Sequence, residues 1–325
     1  MINYSINKLK NKIWSTFVSY LRPKSIYHFI YKSYWHYRFY KNNGSSKLVN
    51  YYSAIPNVGA GIGHQIANWI AGYWFAKKFD LQFAHSPFST KTWDTFLGFG
   101  LAEVKVSDLL TSGYKKVKLP LFDENNSVEL ELQKRIIESY ATQKIVFIAE
   151  QDQSYKDQFG VINKIKSSFF NSPSRLNDLL IYIKENYNIA VHIRRGDIVG
   201  AVKNKNSNLS IRWISNDYFS NVLQNVIEKI AVSKPFHIYI FSEGSISDFS
   251  EFSRFPNIHF CLDMDAKDSF LHLVYADLLI TSKSSFSYKP ALLSNGIKVC
   301  PDDFWHGYPN DNNWILADDE GKLLQ

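Results

Sequence analysis

Short apolar runs recur through the second half of the chain, at Ile189–Ile193, Phe236–Phe241, Ile258–Cys261, Leu278–Thr281 and Lys298–Cys300. Each is brief, nearly continuous in hydrophobicity and bounded by polar turns, the pattern of a strand covered on both faces. Helical patterns lie between them: Asp217–Val232 with Asn216 in the capping position, Asp268–Ala276, and a helix that starts at Ser284-Ser285-Phe286-Ser287 and runs to Leu293. Strands that alternate with helices must be joined by crossovers, and crossovers make a parallel sheet of right-handed βαβ units. This excludes all-β and all-α folds.

The first half repeats the theme more loosely. Leu48–Ile55 reads as a strand, Pro56–Gln65 as a glycine-rich loop, Ile66–Phe79 as an apolar helix and Leu81–His85 as the next strand. That order opens a doubly wound sheet. Further on, Val104–Leu119 is mixed, Val128–Tyr140 helical and Lys144–Ala149 a buried strand, and Ile162–Phe170 and Ser174–Tyr187 carry helical patterns. The expected division is a leader over residues 1–48, one Rossmann-like unit over 49–187 and a second over 188–325.

The leader interleaves Lys8, Lys10, Lys12, Arg22, Lys24, Lys32, Arg38 and Lys41 with aromatic residues. Ile6, Leu9, Ile13, Phe17 and Leu21 recur at helical spacing, giving an amphipathic helix with a basic face. Such a helix either lies on an anionic membrane surface or packs on the protein with its lysines solvated. Asn42–Ser46 has the composition of a turn and is the expected linker. A net charge of +7 fits an anionic ligand, nucleic acid or an acidic membrane. Two cysteines, Cys261 and Cys300, make no disulfide framework and point to a reducing compartment. No apolar run is long enough to span a bilayer, and the N-terminus lacks a secretory signal. A cytoplasmic protein, peripheral on the inner face of a membrane at most, is the expectation.

Chemistry gathers at the carboxyl ends of strands in the second half. His192, Arg194, Arg195 and Asp197 follow one strand, Ser242 and Glu243 another, and Ser282, Ser284 and Ser285 a third. Ligands of an open parallel sheet bind outside those ends. Two guanidinium forks and a serine-rich helix start suit one class of ligand best, a phosphate or diphosphate. The bland alternative is an arginine engaged in an ion pair with Asp197.

The segment His192-Ile193-Arg194-Arg195-Gly196-Asp197 resembles the HxRRGD motif of the GDP-fucose-dependent fucosyltransferases, particularly the α-1,2 group. Other segments resemble the family in the same order over roughly residues 50 to 302. They are the first loop Gly61-Ile62-Gly63-His64-Gln65, the strand Tyr239–Glu243, Asp268–Leu271 and Thr281–Ser287. The resemblance implies a GT-B-like fold, two Rossmann-like domains facing across a cleft. It also implies inverting transfer of L-fucose from GDP-fucose to a hydroxyl of a cell-surface glycan, such as an O-antigen, with no metal and no cofactor. Arg195 would contact the diphosphate and Arg194 support it. His192 either touches the donor or is a satisfied histidine beside the core. Ser242 and Glu243 would face the donor, Asp268 the guanine or ribose unless it only favours its helix start, and Ser284, Ser285 and Phe286 would line the donor pocket. Gly61, Gly63, His64 and Gln65 would form the acceptor-side loop. His64 and Asp197 are the candidate bases. The family's usual Asn is His64 here, the tryptophans after its serine cluster are Tyr288 and Lys289, and its paired acids become Glu243-Gly244. These departures leave room for another acceptor or another GDP-linked sugar.

Three rival readings remain. Asp263-Met264-Asp265 imitates a DxD metal motif, although without a reinforcing ligand. Gly59-Ala60-Gly61-Ile62-Gly63 suggests a dinucleotide-binding oxidoreductase, but its spacing is not GxGxxG and no acid follows the second strand. A nucleic-acid protein using the basic leader would leave the sheet crevice idle, so no nucleic-acid partner is expected.

Overall fold

The computed structural model describes residues 2–40, 47–56, 59–149, 158–203, 210–229 and 232–324. The expected linker Asn42–Ser46 and residues 204–209 lie outside the described residues. The chain forms two compact units, one comprising Met1–Ala60, Gln65–Asp94 and Phe99–Ser154, the other Gly61–His64, Thr95–Gly98 and Tyr155–Gln325.

The first unit begins with helices α1 (Ile2–Leu21) and α2 (Lys32–Phe39). Strand β1 (Tyr51–Ala54), helix α3 (Ile62–Lys78) and strand β2 (Gln82–His85) follow, then α4 (Lys91–Leu97), β3 (Val104–Lys105), α5 (Val106–Thr111), β4 (Lys115–Lys118), α6 (Ser127–Ser139) and β5 (Ile145–Ala149), with the ends Ile62–His64 of α3 and Thr95–Leu97 of α4 clustering with the second unit. The five strands lie in the order β3-β2-β1-β5-β4 and every pairing is parallel. All five residues of β5 are buried, as a central strand covered on both faces requires. Residues of the leader belong to this unit: α2 lies on α6, with His36 stacked on Tyr140 at 3.7 Å and Ser33 Oγ donating to the Lys118 carbonyl.

The second unit holds α7 (Ile162–Phe170), β6 (Tyr187–His192), α8 (Asp197–Lys203), α9 (Asn216–Lys229), β7 (Phe236–Ser242), β8 (Ile258–Leu262), α10 (Ala266–Tyr275), β9 (Leu278–Ile280), α11 (Ser285–Leu293), β10 (Ile297–Pro301), β11 (Trp314–Ala317) and β12 (Leu323–Leu324). Its sheet runs β8-β7-β6-β9-β10-β11-β12, parallel except for the antiparallel last strand. In chain order the first six strands read 3-2-1-4-5-6, the order of the dinucleotide-binding sheet, with its reversal between β6 and β9. The α/β class and its parallel, Rossmann-like sheets are as expected. Ile189, Val191, Ile238, Ile240, Leu278 and Ile280 are fully buried and form the sheet's core with Phe219, Val222 and Leu223 of α9.

Several elements differ from expectation. The segment Ser174–Tyr187 is not a helix: a short 3-10 turn, Pro173–Asn177, gives way to extended chain. Tertiary contacts override its helical pattern. The Ile181 amide donates to His272 Nε2, and Tyr182 donates its hydroxyl to the His272 carbonyl while its ring meets Tyr239. Helix α3 starts at Ile62, so His64 and Gln65 sit in its first turn and not in a loop. Ser215, and not Asn216, caps α9, its hydroxyl accepting from the Tyr218 amide. Strands β11 and β12 and helix α4 carry no strong periodic signal in the sequence.

Candidate functional site

Strands β6 and β9 lie side by side at the reversal of the second sheet, and their carboxyl ends bring two predicted segments together. His192 Nδ1 and Ser282 Oγ are 2.7 Å apart, a bond that ties one strand end to the other. Burial first, then the nearby Arg194 and Arg195, push the His192 pKa down to about 3, so the imidazole is neutral and positions the crevice.

Arg194 donates from one nitrogen to Ser284 Oγ at 3.1 Å and from another to both Asp197 oxygens at 3.1 and 3.0 Å. Ser284 is the N-cap of α11, its hydroxyl also accepting from the Phe286 amide at 3.2 Å. The fork therefore stands at a helix N-terminus, where free amides and the helix dipole favour an anion. Asp197 is half exposed, so its pair with Arg194 is a solvent-screened one that a more highly charged ligand can replace.

Arg195 turns the other way. It is buried, donates to the Arg194 carbonyl and to Asn216 Oδ1, and lies 4.2 Å over the Trp213 ring. Asn216 in turn donates to the Asp248 carbonyl and to Glu251. Gly196 carries a φ of 41°, which strains any residue with a side chain, and the Glu243 carboxylate lies where its Cβ would stand. Glu243 itself is exposed, whereas Ser242 Oγ donates to the Ile193 carbonyl at 2.7 Å and serves the backbone. Asp268 lies exposed in the first turn of α10.

The turn Gly61–His64 clusters with this unit. A Cβ on Gly63 would meet the Ser285 carbonyl oxygen at 2.5 Å, so a glycine is needed for the approach to the start of α11. A Cβ on Gly61 would meet nothing within 4 Å. Gln65 is buried in the first unit and bonded to Ala60 and Ser89 by both ends of its amide, a loop brace more than a ligand contact. Phe286 packs edge-on against Phe270 and beside His192.

Three residues join the site that were not among the candidate site residues. His306, from the loop after β10, lies 3.2 Å from Ser285 Oγ and is stacked on Tyr288. Burial, then Lys289, Arg212 and His64, lower its pKa to about 2. Arg212 stands over Trp305 at 5.1 Å, and its Nε meets no hydrogen-bond partner among the described residues. Burial and then repulsion by Arg194 lower its pKa, with Asp197 opposing. Lys289, one turn along α11 from Ser285, is almost fully buried, which pushes its pKa down to about 7. No local pattern marks Arg212 or His306, because both arrive on irregular loops.

The DxD candidate has structural work. Asp265 caps α10 by accepting from the Lys267 amide at 2.9 Å, and Asp263 takes a positive φ in the turn before it. Among the described residues the carboxylates that converge are Asp302, Asp303 and Asp319, all exposed, with Lys283 bridging to Asp303 and Asp319. Cys261 and Cys300 are buried free thiols. No helix is long and apolar enough to cross a membrane among the described residues.

No family model and no curated protein sequence matches the chain. Among solved structures it is similar to a mutant of Arabidopsis thaliana FUT1 in complex with GDP, at 11% identity over 86% of this chain and 74% of that one, with a TM-score of 0.46. It is also similar to POFUT1 in complex with GDP, at 12% identity over 77% of this chain and 98% of that one, TM-score 0.48, and to the fucosyltransferase NodZ from Bradyrhizobium, at 12% identity over 77% and 94%, TM-score 0.42.

Proposed function

We propose that the protein is a GT-B-type glycosyltransferase that moves L-fucose from GDP-fucose to a hydroxyl of a glycan, with inversion and without a metal. One observation carries the reading: the HxRRGD strand end and the serine-rich helix start meet at the sheet reversal, through His192–Ser282 and Arg194–Ser284. When the sugar C1–O bond breaks, its electron pair leaves with the β-phosphate oxygen. A guanidinium and a helix N-terminus placed there stabilise that charge in place of a metal ion. The geometry favours exchanging the roles expected of the two arginines. Arg194, with Arg212, faces the diphosphate, and Arg195 braces the loop from behind through Asn216 and Trp213.

The acceptor hydroxyl attacks C1 as its proton passes to a base. His64 is assigned that role over Asp197, because the Asp197 carboxylate holds Arg194. An α-1,2 linkage, a cell-surface glycan of the O-antigen kind carried on lipid, and work at the cytoplasmic face of a membrane complete the proposal. Calorimetry with GDP, GDP-fucose and UDP-sugars, each with and without EDTA, tests it. Binding of GDP and GDP-fucose that EDTA leaves unchanged is the expected result. Absence of GDP binding, or metal-dependent binding of UDP-sugars, would overturn it, and a GDP-linked sugar preferred over GDP-fucose would redirect it.

A further inference from the structure

Helix α1 exposes an apolar stripe. Ile6, Leu9, Ile13, Phe17 and Tyr20 are 45%, 60%, 62%, 46% and 65% exposed, and their spacing of three and four residues sets them along one face. The helix is held by a different face, where Val18 and Leu21 are buried with Tyr27 and Tyr31 and Trp14 packs beside them. At about 100° per residue, Lys10 falls roughly 60° to one side of the stripe's centre and Lys12 roughly 100° to the other. Lysines thus flank the exposed apolar residues on both sides.

Charge beyond this helix points the same way. The first acidic residue of the whole chain is Asp80, after eleven lysines and arginines. Next in the sequence comes an aromatic ladder. Phe29 stacks on Trp35 at 5.4 Å and Trp35 on Phe39 at 5.7 Å, with 46%, 42% and 78% of these side chains exposed. Exposed tryptophan and phenylalanine among basic residues have the chemistry of the headgroup boundary, where an amphipathic ring or an apolar stripe is buried and lysines meet anionic lipid. An aqueous surface gives such a stripe no stabilising contact.

We propose that the outward stripe of α1 is a membrane-docking face, which lies in the headgroup region of an anionic bilayer with Lys10 and Lys12 on lipid phosphates. The inference deepens the membrane location in the proposed function, and it can fail while the transferase chemistry, read by GDP binding, stands. The test is flotation of the full chain with vesicles of phosphatidylcholine alone and of phosphatidylcholine mixed with phosphatidylglycerol, at low and high salt. Binding to the mixed vesicles only, weakened by salt, is expected. Ile13→Ser with Phe17→Ser should weaken it on the order of tenfold or more, as should Lys10→Glu with Lys12→Glu, while circular dichroism and GDP binding stay unchanged. Equal binding by the variants, no partition onto anionic vesicles, or a concentration-dependent dimer in sedimentation that Ile13→Ser with Phe17→Ser dissolves would each overturn the proposal. The last of these would give the stripe to a second copy of the chain.

Discussion

In both sheets the unit's first strand lies where the strand order reverses, β1 between β2 and β5, and β6 between β7 and β9. At the first reversal β1 ends at Ala54 and is followed by Ile55 and Pro56. The polar group on the neighbouring strand, His85, is buried and closed on both sides. The Trp69 indole donates to its Nδ1 at 3.1 Å, which fixes the tautomer, so Nε2 donates to Asp94 at 2.9 Å. At the second reversal Arg194, Arg212 and a helix N-terminus converge, opposed by the exposed Asp197. The same kind of reversal therefore carries two electrostatic outcomes. The sheet supplies a crevice at its reversal; the residues just beyond the strands decide whether that crevice attracts an anion.

The largest effect that could break this contrast is at Arg194. Arg194→Ala should weaken GDP binding on the order of a hundredfold, and Arg194→Lys should recover only part, since an ammonium keeps the charge but not the fork. Calorimetry reads both, and wild-type affinity in Arg194→Ala would remove the second crevice's claim. Arg195→Ala should instead cost roughly 1 to 3 kcal/mol of stability, seen in urea denaturation, because it strips Asn216 of a partner and uncovers Trp213. Acid should act chiefly on the second unit. His192 and His306 titrate ordinarily near 6.5 and in the fold near 3 and 2, so the unfolded chain binds more protons across that window. Their stabilisation is complete above pH 6.5 and is lost as pH falls toward 3, about 2 kcal/mol for each by pH 5. Denaturation midpoints at pH 7 and pH 5, compared with those of His192→Gln, measure it. Gly63→Ala should cost about 1 to 3 kcal/mol and weaken GDP binding, since the methyl group meets the Ser285 carbonyl at the foot of α11. The smallest effect sharpens the comparison: His85→Gln should lower stability yet leave GDP affinity within twofold, within the error of calorimetry.

The alternation of apolar runs with helices was enough to read a parallel sheet, because strands covered on both faces must be continuous in hydrophobicity. It was likewise enough to place His192, Arg194 and Ser284 at strand ends. The same local logic fails where long-range contacts decide. Ser174–Tyr187 has helical spacing, yet His272 and Tyr239 draw Tyr182 out of it. Helix α3 begins four residues before the sequence suggests, because Gly63 reads as a helix breaker until Ser285 is seen to require it. Which arginine faces outward is equally invisible in a string, since only Asn216 and Trp213, some twenty residues on, settle the direction of Arg195. Arg212 and His306 belong to loops with no period to betray them.

In the proposed reading, Asp197 is an internal competitor for the anion site. Any ligand must displace a carboxylate already held by two hydrogen bonds, which raises a threshold against singly bonded or weakly charged anions. A diphosphate clears it because it engages Arg194, Arg212 and the amides of α11 together, so its second contact comes at high effective concentration. Free phosphate offers one group for one fork and, in that reading, competes for it less well. On the proposed function, the carboxylate that looks like a spent charge would favour ligands that chelate.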